Sequence, residues 1–276
     1  IYVGANDGML HAFRDSDGAE LWAFIPPDLL PKLKNLTGGT VEFFVDGAPK
    51  VYVGPTKILL ICGERRGGNR YFALDITDPE FPKWEWTIHP GLSDFSELGQ
   101  TWSTPLMGKI KLGTGDKQVF FIGGGYDNMN QDNLPASGND TKGRAVYVVD
   151  ILTGSKIWKY SISDDTNMKY SIPSDIARVD TNGDGYVDRL YVGDMGGQLW
   201  RFDIKDPSTS NWTVKRIFDA NDPPPSPGVD RRKIFYPPDV SLEKDSSGYY
   251  ELIVFGTGDR EHPKSTTVTD RLYTIK

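Results

Sequence analysis

An all-β chain folded as a ring of small repeated sheets, a modified β-propeller, is predicted by three observations. The first is composition. Among 276 residues there are 30 glycines, 13 tyrosines, 13 phenylalanines and 7 tryptophans, whereas apolar residues at helical period are scarce and best developed from Pro27 to Asn35. The second is an internal repeat. Residues 1 to 13 laid over residues 190 to 202 align Ile1-Tyr2-Val3-Gly4 with Leu190-Tyr191-Val192-Gly193, Gly8 with Gly197, Leu10 with Leu199, and Phe13 with Phe202. The third is a recurring order of strand, Asp- or Gly-bearing turn and Trp-bearing strand.

Taken along the chain, the first unit reads Ile1-Tyr-Val3, a Gly-rich turn, Leu10 to Phe13, then Glu20-Leu-Trp22. The second carries Tyr71 to Asp75 followed by Lys83-Trp84-Glu-Trp86. The third carries Ala145 to Asp150, Thr153-Gly154, then Lys156-Ile-Trp158. The fourth has Ile176 to Val179, Leu190 to Val192 and Trp212-Thr-Val. The last runs from Pro238 to Leu242, through Leu252 to Phe255, to Arg271-Leu-Tyr273. About five units recur at about 45 to 60 residues, long enough for four short strands each. A lone four-stranded sheet buries one face well and needs neighbours around a ring, which favours a propeller over a β-sandwich pair. The first unit starts at its second strand and the last stops at its third. Either the ring closes by sharing strands, or further blades lie outside; residues 1–276 read as a single propeller domain excised from a longer protein.

The formal net charge of −7 argues against nucleic acid or anionic lipid as a partner of the whole surface. No apolar stretch has membrane-spanning length. The one cysteine, Cys62, lies in the apolar run Ile58 to Cys62 and reads as a core residue. His11, His89 and His262 sit in separate units without metal spacing. No nucleophile-elbow, phosphate-loop or zinc-protease motif occurs, so the chain reads as non-enzymatic. Gly123-Gly-Gly125 reads as a strand end and turn, and Asp259-Arg260-Glu261-His262 as a salt-bridged surface turn. The recurrence of tryptophan at one point of each unit argues for packing between blades rather than sugar stacking.

One segment carries chemistry. Asp180-Thr-Asn182-Gly-Asp184-Gly-Tyr186-Val-Asp188 places oxygen ligands at alternate positions around glycine, as in the first nine positions of a calcium loop. Asp180, Asn182 and Asp184 can converge on one hard cation, the Tyr186 carbonyl can supply the seventh position, and Asp188 the ninth, directly or through water. The closing Glu of an EF-hand is absent, since Tyr191 stands there, and the flanking apolar runs are strand-like. The loop therefore joins two strands, with calcium affinity in the micromolar-to-millimolar range. The corresponding turns of other units, Lys111 to Asp116 and Lys244 to Gly248, lack the alternating carboxylates. Two long polar insertions, Asp127 to Asn139 and Asp219 to Arg232, are the candidates for partner recognition.

Five segments together resemble the C-terminal propeller of type IV pilus biogenesis and adhesin proteins of the PilC/PilY type. They are Ile1 to Phe13, Phe44-Val-Asp46-Gly47, Phe72 to Thr77, Trp102-Ser-Thr-Pro105, and Asp180 to Gly185 with Tyr191-Val-Gly193-Asp194. The resemblance implies a seven-bladed, quinoprotein-like propeller at the bacterial surface, the pilus tip or the outer membrane. Its calcium loop would govern pilus extension against retraction. The family's ligands map onto Asp180, Asn182, Asp184, the Tyr186 backbone and Asp188. Implied partners are pilins or minor pilins and a host-cell receptor or glycan. An Arg-Gly-Asp tripeptide is absent. The alternatives are a quinone-cofactor dehydrogenase on the same scaffold, opposed by the single cysteine, and a glycan-binding lectin.

Overall fold

The computed structural model describes residues 1–276 apart from Thr40, Ser137 and Pro227; the last two belong to the insertions expected at Asp127 to Asn139 and Asp219 to Arg232. The described residues form five antiparallel sheets, each a meander of consecutive strands. The first contains β1 (Tyr2–Gly4), β2 (Leu10–Phe13) and β3 (Glu20–Phe24). The second contains β4 (Lys50–Val53), β5 (Ile58–Gly63), β6 (Tyr71–Asp75) and β7 (Lys83–Ile88). The third contains β8 (Leu106–Leu112), β9 (Gly115–Gly123), β10 (Ala145–Asp150) and β11 (Lys156–Ser161). The fourth contains β12 (Ala177–Val179), β13 (Arg189–Gly193), β14 (Gln198–Asp203) and β15 (Thr213–Asp219), and the fifth β16 (Asp239–Asp245), β17 (Gly248–Gly256) and β18 (Leu272–Ile275).

The core lies between successive sheets, and the burial of both faces of a middle sheet against two different neighbours distinguishes a propeller from a two-sheet sandwich. In the third sheet, Phe120, Ile122, Tyr147 and Val149 pack against Leu59, Ile61, Tyr71 and Trp86 of the second. The alternate residues Val119, Phe121, Val146 and Val148 pack against Leu190, Val192, Trp200 and Phe202 of the fourth. Because side chains alternate across a strand, β10 is buried on both faces, and its sequence Ala-Val-Tyr-Val-Val is continuously apolar for that reason. The first and second sheets share another cluster, which includes Cys62 at 0 % exposure, and the fourth and fifth share one more.

Tryptophans tie the sheets together as expected. Trp86 stacks on Phe120 at 5.7 Å and donates its Nε1–H to the Ile151 carbonyl at 3.0 Å. Trp158 meets Trp212 edge-on at 5.2 Å, and Trp22 reaches the Pro79 carbonyl at 2.8 Å. The helical stretch expected from Pro27 to Asn35 begins at Leu30 and ends at Thr37, in the tighter 3₁₀ form. Asp194 is fully buried in the β13–β14 turn, where its carboxylate accepts from the Gly196 and Gln198 amides and the Trp200 indole; burial pushes it up to about 8 despite these donors.

Five sheets lie within the described residues, where the resemblance implies seven blades. The end sheets have three strands, matching a first unit that begins at its second strand and a last that stops at its third. β12 contacts β16, as neighbouring inner strands do. Antiparallel meanders then fix two faces. Turns from first to second and third to fourth strand lie on one face; turns from second to third strand, and the links between sheets, lie on the other. Both insertions belong to the second face: Asp127 to Asn139 joins β9 to β10, and Asp219 to Arg232 leads from β15 toward β16.

Candidate metal centre

The segment Asp180 to Asp188 connects β12 to β13, so it joins two strands of the fourth blade on the first face. Gly183 and Gly185 take φ of +75° and +83°, backbone that a side chain would strain, and this lets the chain turn twice within the loop. Asp180 organises the turn. Its Oδ1 accepts from the amides of Gly183 at 2.7 Å and of Asp184 and Asn182 beyond 3 Å, and its Oδ2 accepts from Gly185 at 2.7 Å. Burial pushes its carboxyl up, but the four amides, Gly185 and Gly183 foremost, outweigh that and hold it below the usual carboxylate range.

Asp184 is exposed and points toward the third blade, where the Lys111 ammonium lies 2.6 Å from its Oδ2. That contact, with the Tyr186 amide and the Asn182 side chain, lowers its pKa against the opposing effect of burial. Lys109 and Lys111 lie 4.3 and 4.8 Å from the centre of the Tyr186 ring. Asp188 is 4 % exposed; its Oδ2 accepts from the Thr181 amide at 2.9 Å and from the Thr181 hydroxyl, and Lys205 stands 3.9 Å away. The Asp188 amide donates to Val179 and its carbonyl accepts from Ile204, so the residue is clamped on both sides.

The donor set at these positions is all oxygen and fits a hard cation. As the loop stands, Asp180 faces its own backbone, Asp184 faces Lys111 and Asp188 faces Thr181. Among the described residues no three His, Cys, Asp or Glu side chains gather into a metal cluster. Gathering the donors requires Asp184 to turn from Lys111 and Asp188 to share its oxygens with Thr181. Sequence reading missed Lys111 and Thr181: Lys111 is distant in sequence, and Thr181 occupies a position between ligands. The corresponding turns of the third and fifth blades, at Leu112 to Gly115 and Asp245 to Gly248, are tight hairpins without such a loop.

The histidines stay apart. His11 lies between Glu20 at 2.7 Å and Asp7 at 2.9 Å, and the Glu20 contact chiefly raises its pKa. The turn at Asp259 is salt-bridged as expected: Lys233 reaches Asp259 at 2.7 Å, Glu261 pairs with Arg66 of the second blade, and His262 touches both Asp259 and the Asp132 carbonyl.

Fold and site define the class: a β-propeller with an oxygen-rich loop in one inner turn. The sequence profile of the PilY1 beta-propeller domain matches residues 1–275, and the chain belongs to that family. It is 37% identical over 213 residues to the type IV pilus biogenesis factor PilY1 of Pseudomonas aeruginosa PAO1, covering 74% of this chain and 17% of that protein. A PilY1 homolog of Xylella fastidiosa is 32% identical over 279 residues, covering 94% of this chain and 18% of that protein. The chain thus spans less than a fifth of the length of these two relatives. The crystal structure of the Pseudomonas aeruginosa PilY1 C-terminal domain superposes with a TM-score of 0.73 at 29% identity, covering all of this chain and 56% of that one.

Proposed function

We propose that this chain is a non-enzymatic, calcium-responsive propeller domain of a type IV pilus biogenesis factor, acting at the cell surface or pilus tip. It would engage pilins or minor pilins and regulate extension against retraction. The observation that carries the calcium reading is the β12–β13 loop, in which five oxygen-bearing positions alternate around two left-handed glycines while the equivalent turns of neighbouring blades are plain hairpins. The names of the relatives support the pilus reading. Attachment to a host-cell receptor or glycan, through the insertions on the opposite face, extends the same proposal.

Asp180, Asn182, Asp184, the Tyr186 carbonyl and Asp188 would hold the ion. Bound calcium supplies a fixed double positive charge that offsets repulsion among three carboxylates. The protein's part is to preset the loop: Asp180 already gathers four amides, and Asp188 is anchored between Val179 and Ile204. The ion shifts the domain between states only by the difference in its affinity for them.

Calorimetry tests the ligand assignment. Asp184→Ala should abolish calcium binding while leaving the unfolding temperature without calcium nearly unchanged; undiminished binding refutes it. A pilus-retraction assay of the Asp180/Asp184 double alanine variant in the parent protein tests the regulatory role, and retraction with unchanged calcium dependence sinks it.

A further inference from the structure

On the face opposite the calcium loop, the links between sheets enclose an axial cavity of about 140 Å³. Proline stands just ahead of three inner strands, at Pro49, Pro105 and Pro238, and Pro173 lies ahead of the fourth. Pro105, Pro173 and Pro237 line the cavity together with Trp102, Phe235 and Tyr236. Its wall is therefore rigid and combines aromatic and proline faces with polar groups. Two guanidiniums reach this wall from different blades: Arg65 from the β5–β6 turn and Arg260 from the β17–β18 connection.

Both lie against the Trp102 indole, Arg65 at 4.6 Å and Arg260 at 5.7 Å from its centre. Arg260 has no hydrogen-bond acceptor or ion-pair partner among the described residues, and the nearest carboxylate to Arg65 is Asp46 at 4.0 Å. The Arg65 side chain is only 20% exposed. A guanidinium shielded from water, beside a second one and without an acceptor for its planar fork, is an unfavourable arrangement that an oxyanion relieves. Arg65 is also the one described non-glycine residue with positive φ, at +52°. Its backbone is held there because the Glu64 and Arg65 amides both donate to the Thr101 hydroxyl, at 2.9 and 3.1 Å. Strain stored under a charged group that faces a cavity points to a ligand. Asp175 is the cavity's own carboxylate, and its Oδ1 is already engaged by the Thr104 amide.

We propose that this axial cavity binds a carboxylate carried on an apolar body, with Arg65 and Arg260 gripping the carboxylate and the aromatic and proline wall taking the body. Such a group comes either from a small organic acid or from the C-terminus of a polypeptide; the volume suits one side chain and its carboxylate.

Calorimetry with 3-phenylpropionate, 3-phenylpropanamide, inorganic phosphate, and an Ala-Ala-Phe peptide with free or amidated C-terminus tests this. Saturable binding of the phenylpropionate or free-acid peptide, at least tenfold tighter than its amide, is expected; the tighter of the two acids identifies the source. Arg260→Gln, an exposed change that leaves folding intact, should weaken binding about tenfold, the worth of one charge-assisted hydrogen bond. Arg65→Lys, which keeps charge but loses the fork, should weaken it as well. Equal binding of acid and amide, indifference to Arg260→Gln, tighter binding of phosphate, or no saturable binding of either acid overturns the proposal.

Discussion

Lys111 and Asp184 sit on different blades yet meet at 2.6 Å, so a basic side chain of the third blade stands where the loop's acidic charge is most exposed. Under the proposed ligation this ammonium opposes a divalent ion at the same carboxylate. An exposed pair of this kind is worth about 0.2–1 kcal/mol, so Lys111→Met should tighten calcium binding by about 1.4- to fivefold, read by calorimetry. Unchanged or weaker binding would show that the lysine does not compete. A different residue contributes to pH response. Glu64 is fully buried beside Asp28, with its Oε1 lacking a hydrogen-bond partner, and burial, then Asp28, pushes its carboxyl up to about 9. Between the ordinary 4.5 and about 9 the folded protein keeps a proton that the unfolded chain has released, so this group's contribution to stability is lost as pH rises through that window. Glu64→Gln removes the ionisation. Thermal unfolding at pH 6 and pH 9 should show a smaller drop for the variant than for the parent, and equal drops would count against the assignment.

At the scale of elements, the strands were readable from sequence where one residue type marked the same point repeatedly. Tyr71 to Asp75 and Ala145 to Asp150 are strands within a residue of the expected ends because both of their faces are buried, which makes them unbrokenly apolar. The inner strands were harder. β4 and β16 line the axis and are largely exposed; β4, Lys50-Val-Tyr-Val53, is too short to stand out by period, whereas the start of β16 is legible at Pro238 to Leu242, and a proline stands ahead of each. Interblade packing also separates two tryptophans on one strand. Trp86 is 8% exposed and wedged on Phe120, whereas Trp84 is 44% exposed. Trp86→Ala should cost about 3–5 kcal/mol in chemical denaturation, as removal of a buried aromatic does, and Trp84→Ala clearly less. Equal losses would place the core elsewhere than between the second and third blades.

Across the whole molecule the meander separates two sites by construction. The Asp180 to Asp188 loop is a first-to-second-strand turn, while Arg65, Trp102, Arg260 and both insertions belong to the opposite set of connections. Binding at one face should therefore leave the other nearly untouched. The Asp180/Asp184 double alanine variant should bind 3-phenylpropionate within about twofold of the parent, since charges separated by more than a Debye length are largely screened. A larger change would reveal coupling through the fourth blade. Interblade ties such as Arg66 with Glu261 and His262 with the Asp132 carbonyl draw the second, third and fifth blades together over the axis.

Sequence by itself determined the repeated strands, the burial of Cys62, the interblade tryptophans and the position of the oxygen-rich loop between two strands, because these depend on periodicity and on neighbours within a few residues. The three-dimensional arrangement alone decided that Lys111 faces Asp184, that Thr181 caps Asp188, and that Arg65 and Arg260 share one tryptophan at the axis. Those pairings join residues as much as 195 positions apart, since 260 − 65 = 195. The Lys111–Asp184 and Arg65–Arg260 pairings depend on how neighbouring blades are rotated about the axis, a geometry set by packing between sheets, whereas the Thr181 contact depends on how one loop folds back on itself.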